Sequence, residues 1–253
     1  MKIKRIILMA ALIISVASVQ AQKSQVIAHR GYWKTAGSAQ NSITSLQKAD
    51  SIHCYGSEFD VWLAKDNKLV VNHDPVYKMK YMEYSKGDAL TGLKLSNGEN
   101  LPSLQKYLEA GKKCNTKLIL ELKAHNSKKR ETKAVQEILA MVKKMGLEDR
   151  MEYITFSLHA MKEFIRLAPA GTPVFYLNGE LSPKELKDLG AAGLDYHMGV
   201  IKKHPEWIKE AHDLGLKVNV WTVDKAEDMK WLIDQKVDFI TTNEPIVAQD
   251  MLK

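Results

Sequence analysis

Glu58 and Asp60 stand two residues apart in the run GSEFDV at 56–61, and the apolar run that follows closes on His73-Asp74. Side chains at i and i+2 of a strand point to the same side, so the two acids converge on one point. His29-Arg30-Gly31 supplies a second imidazole and a guanidinium, and Glu121 and Lys123 repeat the same spacing in KLILELK at 117–123. Three gathered carboxylates repel one another unless something positive joins them. An all-oxygen set suits a hard divalent cation, Ca²⁺ or Mg²⁺, better than zinc, which more often recruits His or Cys. His29 and His73 then stay free for proton transfer, and Arg30 and Lys123 for holding phosphate oxygens. The chemistry indicated is metal-assisted acid–base work on an anionic substrate. Taken singly, each residue has an ordinary explanation: an ExD pair is commonly a solvated strand face, a lone His is usually structural, and Glu121 has Lys123 to pair with. Their joint placement at successive strand ends is what favours a site.

The elements that must position them alternate in type. Strands are expected at 26–28, 56–61, 117–122, 152–156, 173–177, 193–196, 217–221 and 238–241, and helices at 40–51, 103–112, 131–144, 158–167, 183–189, 205–214, 226–234 and 246–252. Ser182-Pro183-Lys184-Glu185 and His204-Pro205 read as helix starts. Eight strand-then-helix units predict an α/β fold of the (β/α)8 barrel type. A doubly wound open sheet is the alternative, because alternation alone does not separate closed from open. The count of eight and the chain length favour closure. One unit is irregular: Asp66-Asn67 makes a turn, 69–71 reads as a return strand, and 75–101 is a polar excursion. An insertion at that point belongs to the C-terminal face of a barrel, where it would form a substrate rim or a decorative loop. Trp221, at the end of the seventh strand, is expected to wall the pocket or to sit in the core, and Tyr176 is a weaker candidate of the same kind. Lys128-Lys129-Arg130 reads as a solvated loop leading into a helix.

Residues 1–21 read as a signal peptide. Lys2, Lys4 and Arg5 precede an apolar run at 6–16 broken only by Ser15, and Val19-Gln20-Ala21 offers a cleavage site before Gln22. That run is short of the roughly 18 residues of a membrane span, and no Cys lies beside the cleavage site to carry a lipid. The mature chain, 22–253, is expected to be one exported domain, periplasmic or secreted, with no stable membrane anchor. The formal charge of +7 includes the three leader cations, leaving about +4, a weak bias. No basic stripe interleaved with aromatics points to nucleic acid. Cys54 and Cys114 are the only cysteines; export leaves a pairing open, and two buried thiols are the simpler reading. No motif sets an oligomeric state.

In order and spacing, His29-Arg30-Gly31, Ala39-Gln40-Asn41-Ser42, Glu58-Phe59-Asp60-Val61, Val70-Val71-Asn72-His73-Asp74, Leu120-Glu121-Leu122-Lys123, Val220-Trp221-Thr222-Val223-Asp224 and Asp238-Phe239-Ile240-Thr241-Thr242 resemble the glycerophosphodiester phosphodiesterase family. The likeness spans nearly the whole mature chain. It implies a barrel enzyme that cuts glycerophosphodiesters, small molecules derived from deacylated phospholipids, into glycerol 3-phosphate and an alcohol. By position it implies Glu58, Asp60 and Glu121 as metal ligands, His29 and His73 as the acid–base pair, and Arg30, Asn41, Lys123 and Trp221 at the substrate. Analogy with related barrels makes His29 the base and His73 the acid, with the reverse assignment open. The chain departs from the family at Ala39-Gln40-Asn41, where Pro-Glu-Asn is usual, and at Thr242-Asn243, where Thr-Asp is more common. Gln40 keeps an acceptor oxygen and loses a charge. Two other readings stand beside this one: a related phospholipase-D-like barrel acting on intact lipid phosphodiesters, and a catalytically weakened phosphodiester-binding protein. A two-carboxylate glycoside hydrolase fits poorly, since Glu58 and Asp60 share one strand face.

Overall fold

A computed structural model describes residues 23–253, so the expected leader at 1–21 lies outside the described residues. The chain runs β1 (Gln25–Ala28), α1 (Ile43–Ser51), β2 (Gly56–Leu63), β3 (Leu69–Val71), β4 (Val76–Tyr77), β5 (Lys80–Tyr81), α2 (Gly87–Thr91), α3 (Leu104–Gly111), β6 (Lys117–Leu122) and α4 (Lys128–Met145). It continues with β7 (Met151–Thr155), α5 (Leu158–Leu167), β8 (Val174–Tyr176), α6 (Pro183–Leu189), β9 (Gly193–His197), α7 (Met198–Lys203), α8 (Glu206–Asp213), β10 (Lys217–Trp221), α9 (Ala226–Asp234), β11 (Phe239–Thr242) and α10 (Pro245–Met251). Eight strands pair in parallel in the order β1-β11-β10-β9-β8-β7-β6-β2, and β1 pairs β2 to close the ring. The barrel is therefore of the (β/α)8 type, with β3 added antiparallel to the outer end of β2.

The period-2 pattern of the strands explains where the site sits. Val26, Ala28, Phe59, Val61, Leu118 and Leu120 pack outward against the helices. Ile27, Ile119, Ile154, Phe175, Leu177 and Phe239 fill the interior of the ring. With Phe59 and Val61 committed to the helix layer, Glu58 and Asp60 must face inward. Serine caps start many of the helices: Ser42, Ser103, Ser127 and Ser157 each accept a backbone N–H, and Ser182 with Glu185 completes a capping box.

Several local expectations need correction. Lys128-Lys129-Arg130 is the first turn of α4, capped by Ser127. The Arg130 guanidinium donates to the Leu63 and Ala64 carbonyls and to Asn67 Oδ1, tying that turn to the β2–β3 hairpin. The first helix begins at Ile43, because Asn41 takes φ +59 and Ser42 caps. The excursion at 75–101 holds the β4–β5 hairpin and α2 over a satellite core that includes Trp62, Val70, Met82, Leu90 and Leu101. Those pieces are too short for periodicity to reveal them. Tyr176 packs in the helix-side core, with its hydroxyl on Glu180 Oε1 at 2.5 Å, rather than in a pocket. Cys54 and Cys114 are buried free thiols, as the simpler reading had it. Among the described residues, no helix is long and apolar enough to cross a membrane.

Gly193 lies opposite Lys217 in the β9–β10 register, and a Cβ there would overlap the Lys217 carbonyl oxygen. Gly193→Ala is expected to lose about 3 kcal/mol of stability, read from urea unfolding. An unchanged midpoint would mean that the two strands do not approach this closely.

Candidate active site

Asp60 on β2 is in register with Glu121 on β6, and one carboxylate oxygen from each of Glu58, Asp60 and Glu121 lies within 4.8 Å of the others. All three are buried. Asn41 grips Asp60 twice: its Nδ2 donates to Asp60 Oδ2 at 2.8 Å, and its Oδ1 accepts the Asp60 backbone N–H at 3.1 Å. Lys123 Nζ lies 2.6 Å from Glu121 Oε1 and donates to Asp60 Oδ1 at 3.2 Å. The Arg30 backbone N–H donates to Glu58 Oε2 at 2.7 Å, and Arg30 Nε is 3.8 Å from Asp60 Oδ2. Asn41, expected at the substrate, is buried and braces Asp60.

Two cations do not balance three buried acids. Burial first, then Asp60 and Glu121, pushes Glu58 well above the ordinary carboxylate range. Burial, then Asp60, pushes Glu121 up to about 7. Asp60 is also pushed up by burial, but Lys123, His73, Arg30 and the Asn41 bond outweigh that and hold it below its usual value. Glu58 Oε1 is buried with no hydrogen-bond partner. An orphaned carboxylate oxygen facing two other acids fits a divalent cation, which would lift the strain by letting all three ionise. The triad can therefore hold such an ion.

His29 follows β1, and its environment determines which nitrogen carries the proton. Asn243 Oδ1 lies 2.9 Å from His29 Nδ1 and also accepts the Trp33 indole N–H at 2.9 Å. On the other side, Asn243 Nδ2 and backbone N–H both donate to the Asp224 carboxylate, each at 2.8 Å. An indole only donates and a carboxylate only accepts, so the amide has one orientation. It presents oxygen to the imidazole; His29 Nδ1 must donate, and Nε2 keeps its lone pair. Burial, then Arg30, lowers the His29 pKa to about 4, against the opposing pull of Asp60. The ring is neutral above that pH. His73 differs: its Nδ1 meets a full carboxylate, Asp74 Oδ1, at 2.7 Å. Arg30 holds φ +58, and its Nη1 donates to Gln40 Oε1 at 2.8 Å.

A cleft of about 410 Å³ opens here, lined among others by Trp33, Gln40, Asn41, His73 and Tyr77. Trp221 stands half-buried, edge-on to Phe156 and His197 at 5.5 and 5.2 Å, with its indole N–H on the Asp195 carbonyl. Sequence reading missed the partners of the site: Trp33 went unremarked, Asp224 was quoted within a motif but given no role, and Gln40 and Asn243 were noted only as departures. The signal was topological, since β11 neighbours β1 once the barrel closes.

The glycerophosphoryl diester phosphodiesterase family model matches residues 29–247. A glycerophosphodiester phosphodiesterase of Caldanaerobacter subterraneus subsp. tengcongensis is 27% identical over 238 residues, covering 88% of this chain and 95% of that protein. The crystal structure of a glycerophosphodiester phosphodiesterase from Parabacteroides distasonis aligns with a TM-score of 0.90 at 52% identity, over 91% of this chain and 97% of that one. An Oleispira antarctica phosphodiesterase, solved in complex with the product sn-glycerol-3-phosphate, shares the fold with a TM-score of 0.76 at 23% identity, over 90% and 96% of the two chains. The chain belongs to the glycerophosphoryl diester phosphodiesterase family and is a phosphoric diester hydrolase.

Proposed function

We propose that the protein is an exported, divalent-cation-dependent enzyme that hydrolyses glycerophosphodiesters to glycerol 3-phosphate and an alcohol, with His29 as base and His73 as acid. The observation that carries this reading is the buried acid triad beside an imidazole whose free nitrogen is assigned by its neighbours. The product complex of the Oleispira antarctica relative supports the substrate class. Glu58, Asp60 and Glu121 would hold the cation, Ca²⁺ or Mg²⁺, which when bound supplies positive charge to the phosphoryl oxygens.

His29 Nε2 takes the proton from the attacking hydroxyl, whether of water or of the neighbouring glycerol carbon. Its Nδ1–H stays on Asn243, so the ring does not turn away as it charges. His73 gives a proton to the leaving alkoxide. The Asp74 carboxylate on its Nδ1 fixes the ring, leaving Nε2 to face the leaving group. Arg30 draws on the phosphate, steadied by Gln40. A Glu at that position would neutralise the guanidinium; Gln orients it and leaves its charge for the substrate. Lys123 keeps Asp60 and Glu121 together at the cation site.

The primary test is release of glycerol 3-phosphate from glycerophosphocholine by protein stripped of metal and then given Ca²⁺ or Mg²⁺. Release should require the ion and should fall on the order of 10³-fold in His29→Ala and in His73→Ala; metal-independent release would refute the scheme. The pH profile tests the base. At saturating divalent cation, which keeps the three acids ionised, protonation of His29 removes the lone pair, so kcat/KM should hold as pH falls until it approaches about 4. A bound cation would lower that limb further. Asn243→Asp places a carboxylate on Nδ1 and should move the acid limb up by roughly one unit or more; an unmoved limb would take His29 out of the base role. Export predicts a mature N-terminus at Gln22, checked by sequencing the protein recovered from outside the cytoplasm. An intact Met1 there would remove the leader.

A further inference from the structure

Among the described residues, the exposed large apolar side chains are Val76, Met79, Tyr81, Tyr84, Ile246 and Val247. All six follow the C-terminal ends of barrel strands: four lie in or just after the β4–β5 hairpin, and two lie in the first turn of α10 after β11. Beyond that first turn of α10, the covering helices contribute none among the described residues. The large apolar side chains exposed among the described residues thus lie toward the face that carries the acid triad.

The hairpin is built as a rigid protrusion. Its base is held by Met82, fully buried in the satellite core, and by the Tyr77 hydroxyl on the Lys94 carbonyl at 2.9 Å. Its strands pair only with each other. Its tip is Lys78-Met79, both left-handed at φ +46 and +61, at a two-residue turn where Asn-Gly would be the easy choice. Met79 is 92% exposed, Tyr81 58% and Tyr84 61%. A long apolar side chain held at a strained, solvent-facing tip has no packing role. Lys78, Lys80 and Lys86 are exposed around it, no acid lies between Val76 and Met82, and the Glu83 carboxylate turns back to the Asn126 backbone N–H at 3.2 Å. A protruding methionine, a belt of tyrosine rings and flanking lysines match the successive layers of a bilayer interface: acyl chain, carbonyl region and anionic headgroup. A dissolved polyanion would engage the lysines and leave Met79 without purpose.

We propose that the β4–β5 hairpin docks the active-site face reversibly on an anionic phospholipid surface, with Met79 inserted and Lys78 and Lys80 at the headgroups. The enzyme then works at the surface from which its substrates are shed. This does not depend on the metal or on the roles of the histidines.

The experiment is cosedimentation of the chain beginning at Gln22, which contains every element of the closed barrel, with equimolar phosphatidylglycerol–phosphatidylcholine vesicles and with phosphatidylcholine alone. Binding to the anionic vesicles is expected, weakened by salt. It should fall about tenfold in Met79→Asp and about 20-fold in the double variant Lys78→Ala, Lys80→Ala. Unchanged Tm values would show that the variants fold. Wild-type binding no better than to phosphatidylcholine alone, or variants that bind like wild type, would overturn the proposal. So would a concentration-dependent dimer that Met79→Asp dissolves without any vesicle binding, since a second copy would then be the occupant of the hairpin.

Discussion

Three carboxylates buried at one point inside a barrel are unstable in isolation, and much of the architecture around them serves to hold that charge. The alternation of β2 turns Phe59 and Val61 to the helices and so drives Glu58 and Asp60 inward. Parallel pairing with β6 brings Glu121 alongside Asp60. The compensation comes from unrelated segments: the Arg30 backbone from the β1–α1 loop, Asn41 from just before α1, and Lys123 from the end of β6. None of these groups is redundant, because a buried ion without its partner costs far more than a lost surface pair.

The left-handed residues make the same point. Arg30 and Asn41, at φ +58 and +59, are among the few non-glycine residues in that region of backbone space. Both give their side chains to the acid site, and Arg30 gives its N–H as well. Strain in the first loop is the cost of aiming donors at carboxylates that the strands alone would leave exposed to one another.

The barrel and the acid triad were legible in the sequence because both follow from short periods. Strand alternation is a two-residue rule, and Glu58, Asp60, Glu121 and Lys123 obey it locally. Lengths of helix at 158–167, 183–189 and 226–234 were equally plain. What escaped depends on contacts between distant segments. The orientation of His29 rests on Asn243 and Asp224 near the far end of the chain, and the excursion at 75–101 folds over Trp62 in pieces of two to five residues. Lys128 and Lys129 do face solvent, but Arg130 escaped because its receptors are carbonyls at 63 and 64, which no local pattern marks.

The bond from His29 to Asn243 spans 214 residues of sequence. It forms only when β11 docks on β1, the last ladder that a growing chain can complete. Until then the imidazole has no fixed tautomer, however well the acids on β2 and β6 are assembled. Competence is therefore a property of ring closure rather than of any one segment. A nascent chain carries the residues of the site without their final arrangement, and the last strand is what completes it.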